Sequence, residues 1–229
     1  MPEVSIIVPV LDEARAIEGA LLPLQAWRAA GAEVVVVDGG SVDATRALAV
    51  PLADRVMGAE RGRAAQMNAG ARASRGDVLL FLHADTVLPS DAMAAVIAAT
   101  ARSEWGRFDV AIEGADPLLA LVALSMNLRS RLTGIATGDQ AIFATRAAFE
   151  AAGGFPAIPL MEDVALSKAL RRRSRPACLR HRVLTSGRRW ERHGTLRTIL
   201  LMWRLRLAYA LGADPHRLAR RYDVERTSS

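Results

Sequence analysis

Apolar runs of a few residues recur along the N-terminal part of the chain, separated by longer stretches in which apolar and polar positions alternate with helical spacing. Val4–Val10, Glu33–Asp38, Arg55–Gly58 and Asp77–His83 read as strands, rich in Val, Ile and Leu. Between them Glu13–Ala30, Asp43–Ala49 and Gly62–Ser74 read as helices, each with Gly or Pro near an end. Strand and helix in turn predict right-handed crossovers and a mostly parallel sheet, hence an α/β fold. Runs such as Val34 to Val37 and Val78 to Leu82 have no polar alternation. A strand of that kind is covered on both faces, so the sheet is the middle of three layers.

After Leu88 the alternation loosens. A helix over Ser90–Ser103, a strand over Arg107–Glu113 and a helix over Asp116–Arg131 are predicted. Gly138–Thr145 reads as a strand, followed by a short helix that ends at Gly153 and Gly154. Glu162–Arg173 then reads as a helix, Ala177–Leu184 as extended and Thr195–Leu211 as a closing amphipathic helix. The expected division is a main domain over 1–194 and a C-terminal helix and tail over 195–229, within one structural unit.

Composition changes this picture in two respects. The net charge is +6 and is carried almost wholly by arginine, Lys168 being the one lysine. Guanidinium groups suit anionic ligands and anionic lipid surfaces, although a G+C-rich coding sequence would raise arginine equally well. Cys178 is the single cysteine, which excludes an internal disulfide and a cysteine zinc cluster and fits a reducing cytoplasm. The N-terminus lacks a secretory signal, and no apolar run is long enough to span a bilayer. A cytoplasmic protein is expected, with peripheral contact at the inner membrane face left open.

In parallel α/β sheets ligands bind beyond the carboxyl ends of the strands. The first strand exits through Pro9, Val10 and Glu13, and the second through Asp38, Gly39, Ser41 and Asp43. An Asp at a strand tip can receive hydrogen bonds from a base or ribose, and glycines let backbone approach a ligand. Equally, Asp43 can be a helix N-cap and Gly39 and Gly40 a turn. The fourth strand ends in His83, Ala84 and Asp85, where a carboxylate can share a divalent cation with diphosphate oxygens. Capping by Asp85 and core packing by His83 are the structural alternatives. Neither a Gly-x-Gly-x-x-Gly after the first strand nor a P-loop is present, so phosphate charge needs a metal and basic groups such as Arg61 and Arg63.

In order, Pro9 to Glu13, Asp38 to Thr45, His83 to Asp85 and Glu162-Asp163 resemble the motifs of family 2 glycosyltransferases with the GT-A fold. The likeness runs over roughly the first 190 residues. It implies a Rossmann-like three-layer sandwich, and a nucleotide-sugar donor held by Pro9, Val10, Glu13, Asp38, Gly39, Ser41, Arg63, Asn68, Ala84 and Asp85. Asp163 is implied as general base with Glu162 beside it, since a hydroxyl nucleophile must lose its proton as the new bond forms. Acids in the first turn of a helix also favour its dipole, which is the structural alternative for this pair. Gly138, Asp139 and Gln140 would border donor and acceptor, with Arg189 and Trp190 on the diphosphate or acceptor side. Asp85, and His83 where the family has an acid, would hold Mn2+ or Mg2+.

Ser186 stands where processive members carry Gln, which argues against processive synthesis. The segments Leu82 to Thr86, Gly138 to Phe143 and Arg188 to Gly194 resemble a small bacterial subgroup named as arsenosugar-type or radical-SAM/selenodomain-associated. The expected reaction is inverting transfer from a UDP- or GDP-linked sugar to a hydroxyl on a small or lipid-carried acceptor. The alternatives are a sugar-phosphate nucleotidyltransferase, disfavoured by the acidic first loop, and a non-catalytic membrane binder using the C-terminal arginines. No nucleic-acid module is recognisable.

Overall fold

The computed structural model describes residues 3–227. An eight-stranded sheet forms its centre, in the order β3-β2-β1-β4-β7-β6-β8-β5. The parallel part is β1 (Val4–Val10), β2 (Glu33–Asp38), β3 (Arg55–Gly58) and β4 (Val78–Phe81). β5 (Thr86–Val87), β6 (Trp105–Glu113), β7 (Phe143–Thr145) and β8 (Ala177–Ser186) complete it. β7 runs antiparallel to both β4 and β6, β5 runs antiparallel to β8, and β6 and β8 are parallel.

Successive side chains of β1, β2 and β4 go to opposite faces. Ile6, Val8, Val34, Val36 and Leu80 join one core with Leu21, Leu24, Trp27 and Val96. Ile7, Val35, Val37, Leu79 and Phe81 join the other with Met67, Phe149, Phe155 and Leu170. Both faces of these strands are therefore dry, as their unbroken apolar runs require. On the second face α4 (Arg63–Ala73) lies close enough that a Cβ on Gly70 would sit 2.5 Å from Cγ2 of Ile7. That close approach sets the first turn of α4 at the carboxyl ends of β1 and β2.

The remaining helices are α1 (Ile17–Leu21), α2 (Gln25–Ala29), α3 (Thr45–Ala49), α5 (Met93–Thr100), α6 (Leu118–Thr133), α7 (Arg146–Ala151) and α8 (Glu162–Arg171). α9 (Arg188–His193), α10 (Thr195–Ala210) and α11 (Pro215–Thr227) close the chain. Leu205 of α10 and Leu218 of α11 form a third core with Leu160, Met161 and Val164 at the start of α8. The C-terminal helices are thereby anchored next to Glu162 and Asp163. No helix among the described residues is long and apolar enough to cross a membrane.

Several elements differ from the sequence reading, β5 and α9 among them, which lie where it predicts none. The helix expected over Glu13–Ala30 is interrupted by a 3-10 turn at Leu22–Leu24, because Pro23 has no N–H to donate and its ring crowds the preceding turn. The strand expected over Gly138–Thr145 is confined to Phe143–Thr145. Gly138–Gln140 forms a 3-10 turn fixed by a capping box with Thr137 and left through Ala141 at φ 45°. The tail beyond Leu211 is helical as α11, held by Leu218 with Ala219 and Tyr222 packed against the same core.

Candidate active site

The loops after β1 and β2 are latched together by their own polar side chains. Ser41 Oγ accepts from the Asp12 amide at 2.9 Å, Asp12 Oδ1 from the Val42 amide at 2.8 Å, and Thr45 Oγ1 from the Glu13 amide at 2.8 Å. Asp43 accepts from the amides of Ala14 and Thr45, at 3.0 and 2.9 Å. Asp38, 2 % exposed, spends its carboxylate on the loop that follows, taking the Gly40 and Ser41 amides and the Ser41 hydroxyl at 2.5 Å. Asp38 thus builds the loop, and the acids that face outward from this pair of loops are Asp12 and Asp43. Pro9 and Val10 are buried in β1, and the Val10 carbonyl receives the Gly39 amide at 2.9 Å.

The first turn of α4 ties these loops to the middle of the chain. Gln66, 3 % exposed, donates from Nε2 to the carbonyls of Val10 and Val37, both at 2.8 Å, and its amide packs 3.0 Å from where a Cβ on Gly39 would lie. One turn earlier Arg63 Nε meets Glu162 Oε1 at 3.0 Å. Asn68, expected beside a nucleotide, spends its side chain within the fold. Its amide closes on the backbone of Phe155, receiving that N–H at 2.9 Å and donating to that carbonyl at 2.8 Å. Asn68→Ala should therefore lower stability by about 1–3 kcal/mol, since it strands both backbone groups. A shift in the urea midpoint with no change of slope checks this.

β4 delivers His83, Ala84 and Asp85 opposite the Gly138–Gln140 turn. The imidazole lies against that turn, so that a Cβ on Gly138 would meet His83 Nε2 at 2.4 Å. His83 Nδ1 faces Asp139 Oδ1 at 3.4 Å. Burial lowers the imidazole pKa, but the hydrogen bond and charge of Asp139 outweigh it and the net displacement is upward. Asp163 holds the same turn from the other side, accepting from the Gly138 amide at 2.8 Å and from the Val164 amide at 2.6 Å. Each Asp163 oxygen keeps lone-pair capacity beyond these bonds. Glu162 is buried beside it, and burial raises its pKa against the opposing charge of Arg63. Glu162 Oε2 meets no partner among the described residues. Gln140, fully buried, turns inward: its Oε1 takes the Thr137 amide at 3.3 Å and its Nε2 donates to Asn127 at 3.3 Å. It supports the turn from within.

For a divalent cation, the described residues contain no group of three or more His, Cys, Asp and Glu side chains arranged to hold one. Exposed Asp85 is the available hard-oxygen ligand, and His83 is engaged with Asp139 and Gly138. Magnesium-type ions commonly bind through one or two carboxylates and complete their shell with substrate phosphate and water. The donor set fits an ion held jointly with a diphosphate.

Beside this rim lies a cavity of about 690 Å³ bounded by α6, β8, α9 and α10. Asp85, Asp139, Arg129 and Ser186 line it together with Arg188 and Arg206, and Val122, Met126, Ile199, Met202, Trp190 and Trp203 supply its apolar surface. The side chain of Arg189 lies outside the described residues.

Of the residues singled out in the sequence, Arg63, His83, Asp85, Gly138, Asp139, Glu162 and Asp163 are joined into one rim, and Trp190 lines the adjoining cavity. Asp38, Asn68 and Gln140 serve as braces behind it. Gln66 and Arg129 were not singled out. Gln66 had a signal, a polar residue on the face of α4 that also carries Met67 and Gly70 into the core. Arg129 had none, because an arginine near the end of an amphipathic helix reads as solvated.

Residues 5–111 match the family model described as Glycosyl transferase family 2. No curated protein matches the chain in sequence. Among solved structures it is similar to S. aureus TarS 1-349, with a TM-score of 0.65 and 19 % identity over 81 % of this chain and 60 % of that one. The mannosyltransferase PcManGT from Pyrobaculum calidifontis, in complex with GDP-Man and Mn2+, gives 0.62 at 25 % identity over 80 % and 56 %. Glucosyl-3-phosphoglycerate synthase from Mycobacterium tuberculosis, in complex with Mn2+, UDP and glucosyl-3-phosphoglycerate, gives 0.57 at 19 % identity over 80 % and 71 %. The chain thus spans about three fifths of the first of these structures. The fold is the GT-A type of α/β fold that they share.

Proposed function

We propose that this chain is a family 2 glycosyltransferase that moves a sugar from a UDP- or GDP-linked donor to a hydroxyl acceptor with inversion at the anomeric carbon. The observation that carries the reading is the set of contacts around the rim. Gln66 of α4 holds the ends of β1 and β2, Arg63 of the same helix meets Glu162, and Asp163 is joined through Gly138 to His83. All of it lies at the carboxyl ends of the parallel strands, where such sheets bind ligands. Resemblance to the small arsenosugar-type subgroup rests on the motifs at Leu82 to Thr86, Gly138 to Phe143 and Arg188 to Gly194.

In this reading the latched loops after β1 and β2 receive the nucleoside, and Asp85 faces the diphosphate. A divalent cation held there with the diphosphate would neutralise charge on the leaving group. The acceptor oxygen forms its bond to the anomeric carbon as the bond to the diphosphate oxygen breaks, and its proton passes to Asp163. Two backbone amides fix that carboxylate, so it needs no rearrangement to receive the proton. We place the protein in the cytoplasm, in keeping with its single unpaired cysteine.

Thermal unfolding with UDP, GDP, CDP and dTDP, each with and without Mn2+, tests the reading. One nucleotide should raise the melting temperature by several degrees, more so with Mn2+, by mass action on the folded state. Asp85→Asn should abolish the Mn2+ increment. If no nucleoside diphosphate moves the transition under either condition, the chain is not a nucleotide-sugar enzyme.

A further inference from the structure

We infer that the cavity bounded by α6, β8 and α10 is the acceptor site and that its acceptor is a lipid phosphate: one apolar chain, a phosphate, and a hydroxyl-bearing head group beyond it. The inference rests on the glycosyltransferase reading and names its acceptor class. It starts from Arg129, which lines this cavity. Nε and Nη2 of Arg129 are both buried, and neither meets a hydrogen-bond partner among the described residues. A buried guanidinium left in that state is unstable unless an anion completes it, and its planar fork matches two phosphate oxygens.

The rest of the cavity dictates what the anion is attached to. Val122, Met126, Ile199 and Met202 line it, and the wall continues into Leu121 and Trp203, which are 62 % and 71 % exposed. Along the same two helices Leu124, Leu200 and Leu207 are also more than half exposed. A small hydrophilic acceptor would leave this lining in water, whereas one alkyl or prenyl chain covers it and leads outward to an apolar, membrane-facing rim. At the opposite end Asp139 and Asp85 line the cavity, and the charges of Asp163 and Asp139 both act on the Arg129 guanidinium. A phosphate on Arg129 would therefore lie near the general base. The hydroxyl beyond that phosphate attacks the anomeric carbon, its proton goes to Asp163, and the nucleoside diphosphate leaves with the electron pair of the broken bond.

The test uses lysophosphatidylglycerol below its micellar concentration as probe, with monoacylglycerol lacking the phosphate and glycerol phosphate lacking the chain. Binding is read by tryptophan fluorescence, since Trp190 and Trp203 line the cavity while Trp27 and Trp105 are fully buried elsewhere. The lysolipid should bind at least ten times more tightly than either fragment. Arg129→Gln should remove at least tenfold of that affinity without affecting monoacylglycerol, and Ser125→Phe, which narrows the cavity, should weaken both. Nucleotide thermal shifts on the same variants show that they remain folded. Equal binding with and without the phosphate, equal binding without the chain, or binding insensitive to both substitutions overturns the inference. Nucleotide binding without lipid binding would overturn it and leave the glycosyltransferase reading standing; lipid binding without nucleotide binding would overturn the glycosyltransferase reading and the acceptor role with it, leaving only a lipid-phosphate site.

Discussion

Asp163→Asn should lower kcat for sugar transfer by about 10²–10⁴-fold while leaving the Kd for the donor nucleotide near its original value. The asparagine keeps the size and one acceptor oxygen of the original side chain, so the amide of Gly138 or Val164 can still be received, but not both. What is lost is the site for the acceptor proton. Because the loss falls on a step after donor binding, it belongs in kcat and in kcat/KM alike. Glu162→Gln is the informative companion. Glu162 holds Arg63 through Oε1, so its carboxylate is committed to that guanidinium, whereas Asp163 is held only by backbone amides. Replacement of Glu162 should cost activity chiefly through the lost hold on Arg63, with a change in donor affinity. If Glu162→Gln silences transfer and Asp163→Asn leaves kcat within tenfold, the two roles are exchanged.

The site was legible in the sequence as a set of strand exits, because unbroken apolar runs end at named polar residues and a parallel sheet gathers those ends on one side. Which way each side chain turns was not legible. Asp38, Asn68 and Gln140 are polar residues in motif positions, yet each is consumed by backbone or neighbours that only the folded chain brings near: Ser41, Phe155 and Asn127 respectively. Ala141, Ile142 and Phe143 look like strand sequence, but a left-handed Ala141 ends the preceding turn, and no local propensity predicts an alanine there. The cavity was illegible for a different reason. Its walls come from α6, β8 and α10, elements far apart in sequence, and exposed leucines on a helix read as an ordinary amphipathic face until the facing helix is seen.

Beneath the site a buried charge network carries the other large expected effect. Arg107 is 0 % exposed and is met by Asp109 Oδ1, by Ser130 Oγ at 2.9 Å and by the Asn127 carbonyl at 3.1 Å. Asp109 also receives Arg131 through its second oxygen at 2.6 Å. Asp109→Asn would leave the Arg107 charge buried without a counter-charge, and removing one partner of a buried pair costs about 3–5 kcal/mol. Urea unfolding should show the midpoint fall with the slope unchanged. Glu104→Gln, which breaks the exposed pair with Arg173, should cost about 1 kcal/mol or less, because solvent screens that pair. Replacing both buried charges, Arg107→Met with Asp109→Leu, should recover much of the loss, since no orphan charge remains. The network also has a line to the chemistry. Arg107 holds the Asn127 carbonyl, the Asn127 side chain receives Gln140, and Gln140 fixes the turn whose Gly138 amide binds Asp163. Asp109→Asn should therefore reduce kcat as well as stability, whereas the apolar double variant, which no longer grips Asn127, should regain stability without regaining kcat. A double variant that recovered both would show that Asp163 is positioned independently of this network.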